Sequence, residues 1–166
     1  MDFEALYRQQ KEGVFNLALR LLKDRDRAMD ATQEAFTRAF QARDKFRGDC
    51  RPSTWLYRIA YNVCLSMLEG RAGHSPLDDG LERPDPARSR PEAAAERRET
   101  DAAVARALER LGEEDRRLLC LMMEEEMGYE ELAHVLGCTV EAVRMRACRA
   151  RRKLREILEP LLGKAT

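Results

Sequence analysis

The 166-residue chain lacks net charge, is poor in aromatic residues and has no long apolar segment. Its 30 basic and 30 acidic residues balance, which excludes binding to a polyanion through overall charge, so any basic surface must be local. The longest uninterrupted apolar run, 118–123, is far shorter than the ~20 residues that span a bilayer. Acidic residues follow Met1, where a signal peptide has basic ones. We therefore expect a cytoplasmic protein with no membrane insertion of its own.

Residues that usually carry enzyme chemistry are also scarce. No two of the five cysteines lie within four residues of each other, and the two histidines, His74 and His134, sit in no metal-ligand pattern. Glycine-rich phosphate-binding motifs are absent. We therefore predict no enzyme activity, no metal and no cofactor, and we expect reduced thiols. His74 is predicted in a loop and His134 on a helix surface.

Composition divides the chain into three zones. Residues 1–70 hold nine of the ten aromatic residues, whereas 71–98 hold four of the six prolines and no aromatic residue. A stretch of that composition buries too little apolar area to offset its chain entropy. The prediction is an all-α protein of two small helical domains, 1–70 and 99–166, joined by a flexible linker at 71–98.

Apolar residues recur at helical spacing throughout both domains, and no stretch alternates like a strand. The pattern predicts helices over 6–22, 27–40, 53–68, 99–111, 113–126 and 129–136, and a long last helix that Thr139 caps and Pro160 ends. The turn between the first two helices lies at 24–26 and offers an aspartate as cap. The apolar stripe of the first helix is Leu6, Val14, Leu17, Ala18, Leu21 and Leu22, and that of the second is Ala28, Ala31, Ala35, Phe36, Ala39 and Phe40. A short helix, a glycine at 137 and a capped basic helix form a helix-turn-helix arrangement.

The last helix is strongly basic on its surface. Residues 99–141 carry four basic and twelve acidic groups, whereas 142–155 carry seven basic groups and no acid. Val143, Ala147, Ala150 and Leu154 form its apolar stripe, which leaves the bases outside. The pattern favours DNA as partner over a merely solvated face. The first turn directs Thr139, Glu141, Arg144 and Met145 at base edges, and the DNA-binding set continues with Arg146, Arg149, Arg151 and Arg152.

Several motifs carry a family resemblance. The segments DATQEAF at 30–36, FRGD at 46–49 and TWLYRIAYN at 54–62 resemble domain 2 of bacterial extracytoplasmic-function (ECF) sigma factors. The segments GYEELA at 128–133, LGCT at 136–139, VRMR at 143–146 and RAR at 149–151 resemble domain 4 of the same family. The two blocks stand in the family's order and cover nearly everything outside the linker.

The resemblance implies a dissociable subunit of RNA polymerase that selects and melts promoters. It implies that Asp30, Gln33 and Glu34, a polar patch on the second helix, dock on the coiled coil of the largest polymerase subunit. It also implies contact with the flap of the second-largest subunit, a −35 element read by the helix-turn-helix, and a cognate anti-sigma factor.

The third helix matches the family's −10 reader. Its candidate DNA contacts are Trp55, Tyr57, Arg58, Tyr61 and Asn62, the last four predicted on a shared face away from the stripe of Leu56, Ala60, Val63 and Met67. Aromatic rings stack on unpaired bases and an amide reads one base edge. Trp55 suits core packing as well as a surface that opens DNA. Departures from the family at Pro52, Ser53, Tyr61, Ser66 and Glu69 predict weaker gripping of phosphates at the −10 duplex edge.

Two other function classes stay open on the sequence. A stand-alone helix-turn-helix regulator explains the basic helix and leaves the aromatic first domain without a role. A sigma-like mimic that acts only through protein contacts explains the neutral charge and leaves the arginine series without a role. A single chain can reach both promoter elements, because 28 extended linker residues span about 92 Å against about 58 Å for roughly 17 base pairs. Free in solution, the two domains can instead pack together.

Overall fold

A computed structural model of the chain describes residues 2–70, 102–124 and 127–162. Within these ranges every regular element is helical, which confirms the all-α class. The predicted linker at 71–98, with His74, lies outside the described residues. None of the described helices combines the length and the apolar character that crossing a membrane requires.

Short-range signals set the first three helices, which are α1 (Phe3–Leu22), α2 (Arg25–Ala42) and α3 (Pro52–Glu69), with a single 3₁₀ turn (Arg43–Lys45) between α2 and α3. Asp2 caps α1, and the Asp24 carboxylate accepts a hydrogen bond from the Arg27 amide at 3.0 Å to cap α2. Pro52 occupies the first helical position of α3, where its missing N–H costs nothing. The capping role predicted around Asp24 is therefore confirmed.

The remaining helices are α4 (102–109), α5 (Glu113–Glu124), α6 (Tyr129–Leu136) and α7 (Val140–Leu162). Residues 99–101, predicted to begin α4, lie outside the described part of the chain. The prediction that Pro160 ends the last helix is wrong, since α7 continues to Leu162. Proline keeps a helical φ and removes one backbone hydrogen bond, and one bond so near the end of a helix is a small loss.

The described helices fall into two compact units. The first holds α1, α2, α3, the end of α5 from Cys120, α6 and the first residues of α7 up to Val143. The second holds α4, α5 as far as Leu119, and α7 from Arg144. This division groups α6 with α1–α3, so the domain boundaries drawn from composition stay a prediction.

The core of the first unit lies where α1, α2 and α3 pack against one another. All six residues in the predicted stripe of α1 are buried, and so are five of the six in α2. The sixth, Phe40, is 50% exposed, so its assignment to the core was wrong. Its ring lies at the end of α2, with the Phe3 ring 5.3 Å away and the Arg43 guanidinium 4.0 Å from its centroid.

Candidate nucleic-acid interface

The turn between α6 and α7 is built from two local signals. Gly137 ends α6 with a left-handed backbone, φ 65°, which a residue without Cβ adopts at low cost. The Thr139 hydroxyl then accepts a hydrogen bond from the Ala142 amide at 3.2 Å and caps α7. The helix-turn-helix predicted from the sequence is confirmed, with its second helix starting where the basic series starts.

The surface of α7 separates sharply from its core side. Val143, Ala147 and Ala150 are fully buried, and Leu154 is half-buried. All eight residues predicted to contact the −35 element are exposed: Thr139, Glu141, Arg144, Met145, Arg146, Arg149, Arg151 and Arg152. An exposed surface rich in guanidinium groups is suited to a phosphate backbone and to guanine edges.

A carboxylate that the sequence analysis did not single out lies against this helix. Asp115 on α5 is 5% exposed, and its oxygens accept from Lys153 Nζ at 2.5 Å and from an Arg149 terminal nitrogen at 3.5 Å. Burial pushes the pKa of this carboxyl up, but the bond and charge of Lys153, with the charge of Arg149, outweigh burial and leave the pKa below its ordinary value. The signal was present, because Asp115 stands three and four residues before the buried Leu118 and Leu119 on one face of α5.

The structure corrects the predicted face of α3. Arg58 and Asn62 are exposed as expected, whereas Tyr57 is 0% and Tyr61 is 8% exposed. The prediction that both tyrosines lie on the exposed face of α3 was therefore wrong. The reason is tertiary: α3 packs on α1, α2 and α6 at once, so more of its circumference is buried than one apolar stripe provides.

Trp55, for which the sequence left core packing and a DNA-opening surface both open, has features of each. It is half-buried, and its ring lies 5.3 Å from the ring of Phe46 at 50°. This pair joins the FRGD segment to the first turn of α3, beside the exposed Arg58. One part of the indole is packed and the remainder is open to solvent.

Helix α6 packs against the beginning of α3, within the first unit. The Glu131 carboxylate accepts from the Arg51 guanidinium, whose terminal nitrogen is 2.5 Å away, and from the buried Thr54 hydroxyl at 2.9 Å. Burial raises the pKa of Glu131, and the bonds from Arg51, Thr54 and the Gly128 amide lower it by more, so the pKa ends below its ordinary value. This cluster was not predicted, because its members are far apart in the sequence.

His134 lies at the same contact. The sequence predicted a helix-surface histidine, but it is half-buried and its Nε2 lies 3.3 Å from Cys50 Sγ. Burial, with the nearby charge of Asp49, raises the pKa of the Cys50 thiol. The neutral thiol is thus favoured. No group of three or more metal-ligating side chains occurs among the residues that the structure describes.

The predicted docking patch lies on α2. Asp30 and Gln33 are exposed, and Glu34 pairs with Arg38 one turn later at 2.6 Å. A shallow groove of about 390 Å³ runs beside them between α2 and α3, lined by Asp30, Glu34, Arg38, Val63, Ser66 and Met67. Two residues of the patch, Asp30 and Glu34, therefore line one wall of the groove together with Arg38, and the other wall is partly apolar.

Comparison with known proteins gives the family. The chain matches the Sigma-70 region 2 family over residues 6–73 and the Sigma-70 region 4 family over residues 101–154. It is 35% identical to the RNA polymerase sigma-H factor of Pseudomonas aeruginosa, covering 98% of this chain and 89% of that protein. It is 34% identical to the ECF RNA polymerase sigma-E factor of Escherichia coli, covering 96% of this chain and 88% of that protein.

Two solved structures share the fold. The sigma factor RpoE of Bartonella quintana, in complex with the anti-sigma factor NepR, superposes with a TM-score of 0.76 at 22% identity, over 95% of this chain and 97% of that one. CnrH, in complex with the cytosolic domain of CnrY, superposes with a TM-score of 0.69 at 26% identity, over 95% and 88% of the two chains.

The two matched regions, in this order, define a transcription initiation factor. The chain belongs to the sigma-70 family, and within it to the ECF group of RNA polymerase sigma factors.

Proposed function

We propose that the chain is a cytoplasmic alternative sigma factor that binds core RNA polymerase, reads −35 and −10 elements and melts the −10 region. One observation carries the promoter-binding part. The capped helix α7 exposes its arginines on the side away from the buried Val143, Ala147 and Ala150. Family membership supports the polymerase-dependent reading over a stand-alone regulator or a mimic, because a sigma region 2 match covers the aromatic first part of the chain.

For the −35 element, we assign base contacts to the N-terminal part of α7 as far as Arg149, and phosphate contacts to the turns that follow. Thr139 and Glu141 lie at the helix start, and Arg144 and Arg146 follow within two turns. The N-terminal part of a recognition helix is the part that enters the major groove.

For the −10 element, the burial of Tyr57 and Tyr61 reduces the number of candidate DNA contacts on α3. Of the candidate contacts, Arg58 and Asn62 are exposed, and Trp55 with Phe46 forms a partly open aromatic edge. An aromatic edge can stack on an unpaired base and the amide can read it. Tyr57 supports this surface from the core, and Tyr61 contributes an 8% exposed edge at most.

For polymerase docking, we assign Asp30, Gln33 and Glu34, of which Asp30 and Glu34 line the α2–α3 groove. We propose a basic and partly apolar helix of the largest polymerase subunit as the occupant, because the groove offers carboxylates on one side and Val63 and Met67 on the other. We also propose contact of the helix-turn-helix region with the flap of the second-largest subunit. We propose a cognate anti-sigma factor as a further partner, since the RpoE chain that superposes on this one is a sigma factor bound to an anti-sigma factor.

The test is run-off transcription from a random promoter library, with core RNA polymerase alone and with the chain added. We expect transcripts that require the chain, and the selected templates give the −35 and −10 sequences together. Permanganate reactivity of thymines then measures melting, which Asn62→Ala should reduce without altering −35 contacts. Specific promoter binding without polymerase would favour a stand-alone regulator, and binding to polymerase without any promoter would favour a mimic.

A further inference from the structure

Asp115 is a nearly buried carboxylate held by two bases of the helix that we assign to DNA. Its partners, Arg149 and Lys153, are one turn apart on α7, and both side chains are about half exposed, 49% and 45%. Two positive charges and one negative charge leave a surplus of one positive charge on the group. The carboxylate is inside and the bases reach solvent, so this surplus is displayed outward.

The two contacts are unequal. Lys153 Nζ lies 2.5 Å from one carboxylate oxygen, whereas the Arg149 terminal nitrogen lies 3.5 Å from the other. Lys153 is therefore the close partner that neutralises Asp115. Arg149 is held by a longer bond, and a guanidinium has further donors with which to meet an anion.

We infer, on the basis of the proposed function, that Asp115 is a positioning residue that aims Arg149 at the −35 element while Lys153 cancels its charge. The long, flexible arginine side chain is restrained before DNA arrives, so less of its freedom is lost on binding. Asp115 itself makes no contact with DNA. Its effect is on sequence discrimination rather than on total charge.

The test compares polymerase complexes of the full chain on the selected promoter and on the same promoter with a substituted −35 element. Asp115→Asn should reduce discrimination between the two by about three- to tenfold. Arg149→Ala should do the same, and the double variant should lose no more than either alone. The matched control is Glu113→Gln, which removes the same charge from an exposed residue of α5 that pairs with Arg117. It should keep the wild-type discrimination.

Lys153→Gln provides a second variant at a half-exposed position, where folding tolerates the change. With its carboxylate no longer neutralised, Asp115 absorbs the charge of Arg149, and the slope of log affinity against log salt should fall by about one unit. Adding Asp115→Asn to Lys153→Gln should restore the slope but not the discrimination. If this double variant instead lost both the salt slope and the discrimination, Asp115 would have a merely structural role.

Two results would overturn the inference. Wild-type discrimination in folded Asp115→Asn, checked by thermal melting, would remove Asp115 from the −35 site while leaving the proposed function intact. Full recovery of both the salt slope and the discrimination when Asp115→Asn is added to Lys153→Gln would also remove Asp115 from the −35 site. If the wild-type complex itself shows no discrimination between −35 elements, the proposed function fails, and this inference with it.

A second, independent observation is the contact of α6 with α3. Arg51 and Thr54 hold Glu131, and Cys50 meets His134, so part of the helix-turn-helix touches the start of the helix that we assign to the −10 element. The two promoter elements are about 58 Å apart at roughly 17 base pairs. Helices in direct contact cannot occupy both.

We infer, again on the basis of the proposed function, that the Arg51–Glu131–Thr54 cluster is an autoinhibitory latch that opens when the polymerase complex engages a promoter. A half-buried carboxylate that accepts hydrogen bonds from three groups suits a latch, because removing one partner leaves the others poorly satisfied. Opening returns Glu131 and Arg51 to water, so the latch is reversible.

The test is chemical crosslinking between Cys50 and the thiol introduced by His134→Cys, with a short bis-maleimide on the full chain in which Cys138 and Cys148 are replaced by serine. The free chain should crosslink readily, and Arg51→Glu should reduce the yield severalfold. The charge swap of Arg51→Glu with Glu131→Arg should recover it. Lys45→Glu, the same charge change at an exposed residue of the 3₁₀ turn, is the matched control and should crosslink like wild type.

The decisive comparison is the promoter-bound polymerase complex, with melting verified by permanganate in the same sample. Loss of crosslinking there is the expected result. Undiminished crosslinking in a complex that has melted its promoter would overturn the latch and leave the proposed function standing. A chain that melts no promoter would instead overturn the proposed function.

Discussion

Single residues set the fit of the first three helices, and Gly13 with Tyr57 is the tightest case. Tyr57 is fully buried, and a Cβ added at Gly13 would lie 2.2 Å from its hydroxyl oxygen but 3.5 Å from the ring carbon that carries it. The clash is thus with one atom. Gly13 lies inside α1, where glycine otherwise weakens a helix relative to alanine.

From this geometry we expect the effect of Gly13→Ala on stability to reverse its sign when the Tyr57 hydroxyl is removed. In the wild-type background, Gly13→Ala should destabilise the protein by about 1–3 kcal/mol, because the core is overpacked. In a Tyr57→Phe background, the same change should stabilise by about 0.5–1 kcal/mol, because only the helix-propensity gain remains. Chemical denaturation of the four variants measures the coupling. Equal effects in both backgrounds would place the hydroxyl elsewhere.

Arginines near the start of α7 and arginines further along it should make different contributions to DNA binding. Arg144→Ala should cost about 1–3 kcal/mol on the preferred −35 sequence and relax base preference there. Arg152, paired only loosely with Glu156 at 3.9 Å, lies two turns on. Arg152→Ala should weaken all sequences alike and lower the salt slope by about one unit. Affinity of the polymerase complex at two salt concentrations distinguishes them, and identical losses would reduce α7 to a phosphate clamp.

At the scale of the element, the start of α7 depends on one hydroxyl. Thr139→Ala should lower stability by about 1 kcal/mol, because the Ala142 amide loses its partner. Thr139→Asp should restore the cap and the stability, since aspartate is also a strong N-cap. Thermal melting followed by circular dichroism measures both. If the Thr139→Ala and Thr139→Asp variants melt at the same temperature, the hydroxyl contributes no cap.

Packing of α6 on α3 should depend on pH through Glu131. Its pKa is lowered in the folded chain, so the stabilisation is complete above the ordinary value of 4.5 and is lost as pH falls through the lower folded value. We expect the free energy of unfolding of the full chain, measured by chemical denaturation, to fall in that acidic window. Glu131→Gln, which keeps an acceptor for the Gly128 amide, should flatten the pH dependence. An unchanged profile in this variant would assign the acid sensitivity to another carboxyl such as Asp115.

At the scale of the whole molecule, the balanced charge means that recruitment depends on local surfaces. Glu34→Lys should reduce affinity for core polymerase at least tenfold, because a carboxylate that lines the groove is replaced by a cation that repels a basic partner. The fold should change little, since an exposed pair of this spacing contributes about 0.3–0.5 kcal/mol.

The chain supplies a matched control for that experiment. Glu4 pairs with Arg8 on α1 at the same spacing as Glu34 with Arg38, and both members are 73% exposed. Glu4→Lys should therefore cost the same small amount of stability and leave polymerase affinity unchanged. Equal losses in the two variants would mean that net charge, rather than the α2 patch, sets the affinity.

Local features of this protein follow from the sequence because their causes lie within one or two turns. The caps at Asp24 and Thr139, the stop at Gly137 and the buried stripe of α1 were all predicted and are all present. The exposed bases of α7 follow likewise, since seven bases and three small or branched apolar residues admit one amphipathic arrangement.

Other features required the tertiary structure. Thr54 and Glu131 are 77 residues apart, and Asp115 and Lys153 are 38 apart, so no local pattern pairs them. Tyr57 and Tyr61 were predicted on a face away from the apolar stripe and are buried because α3 has neighbours on three sides. Helical periodicity reports which face is apolar, but the number of partners around a helix decides how much of it is covered, and that number is a property of the packed whole.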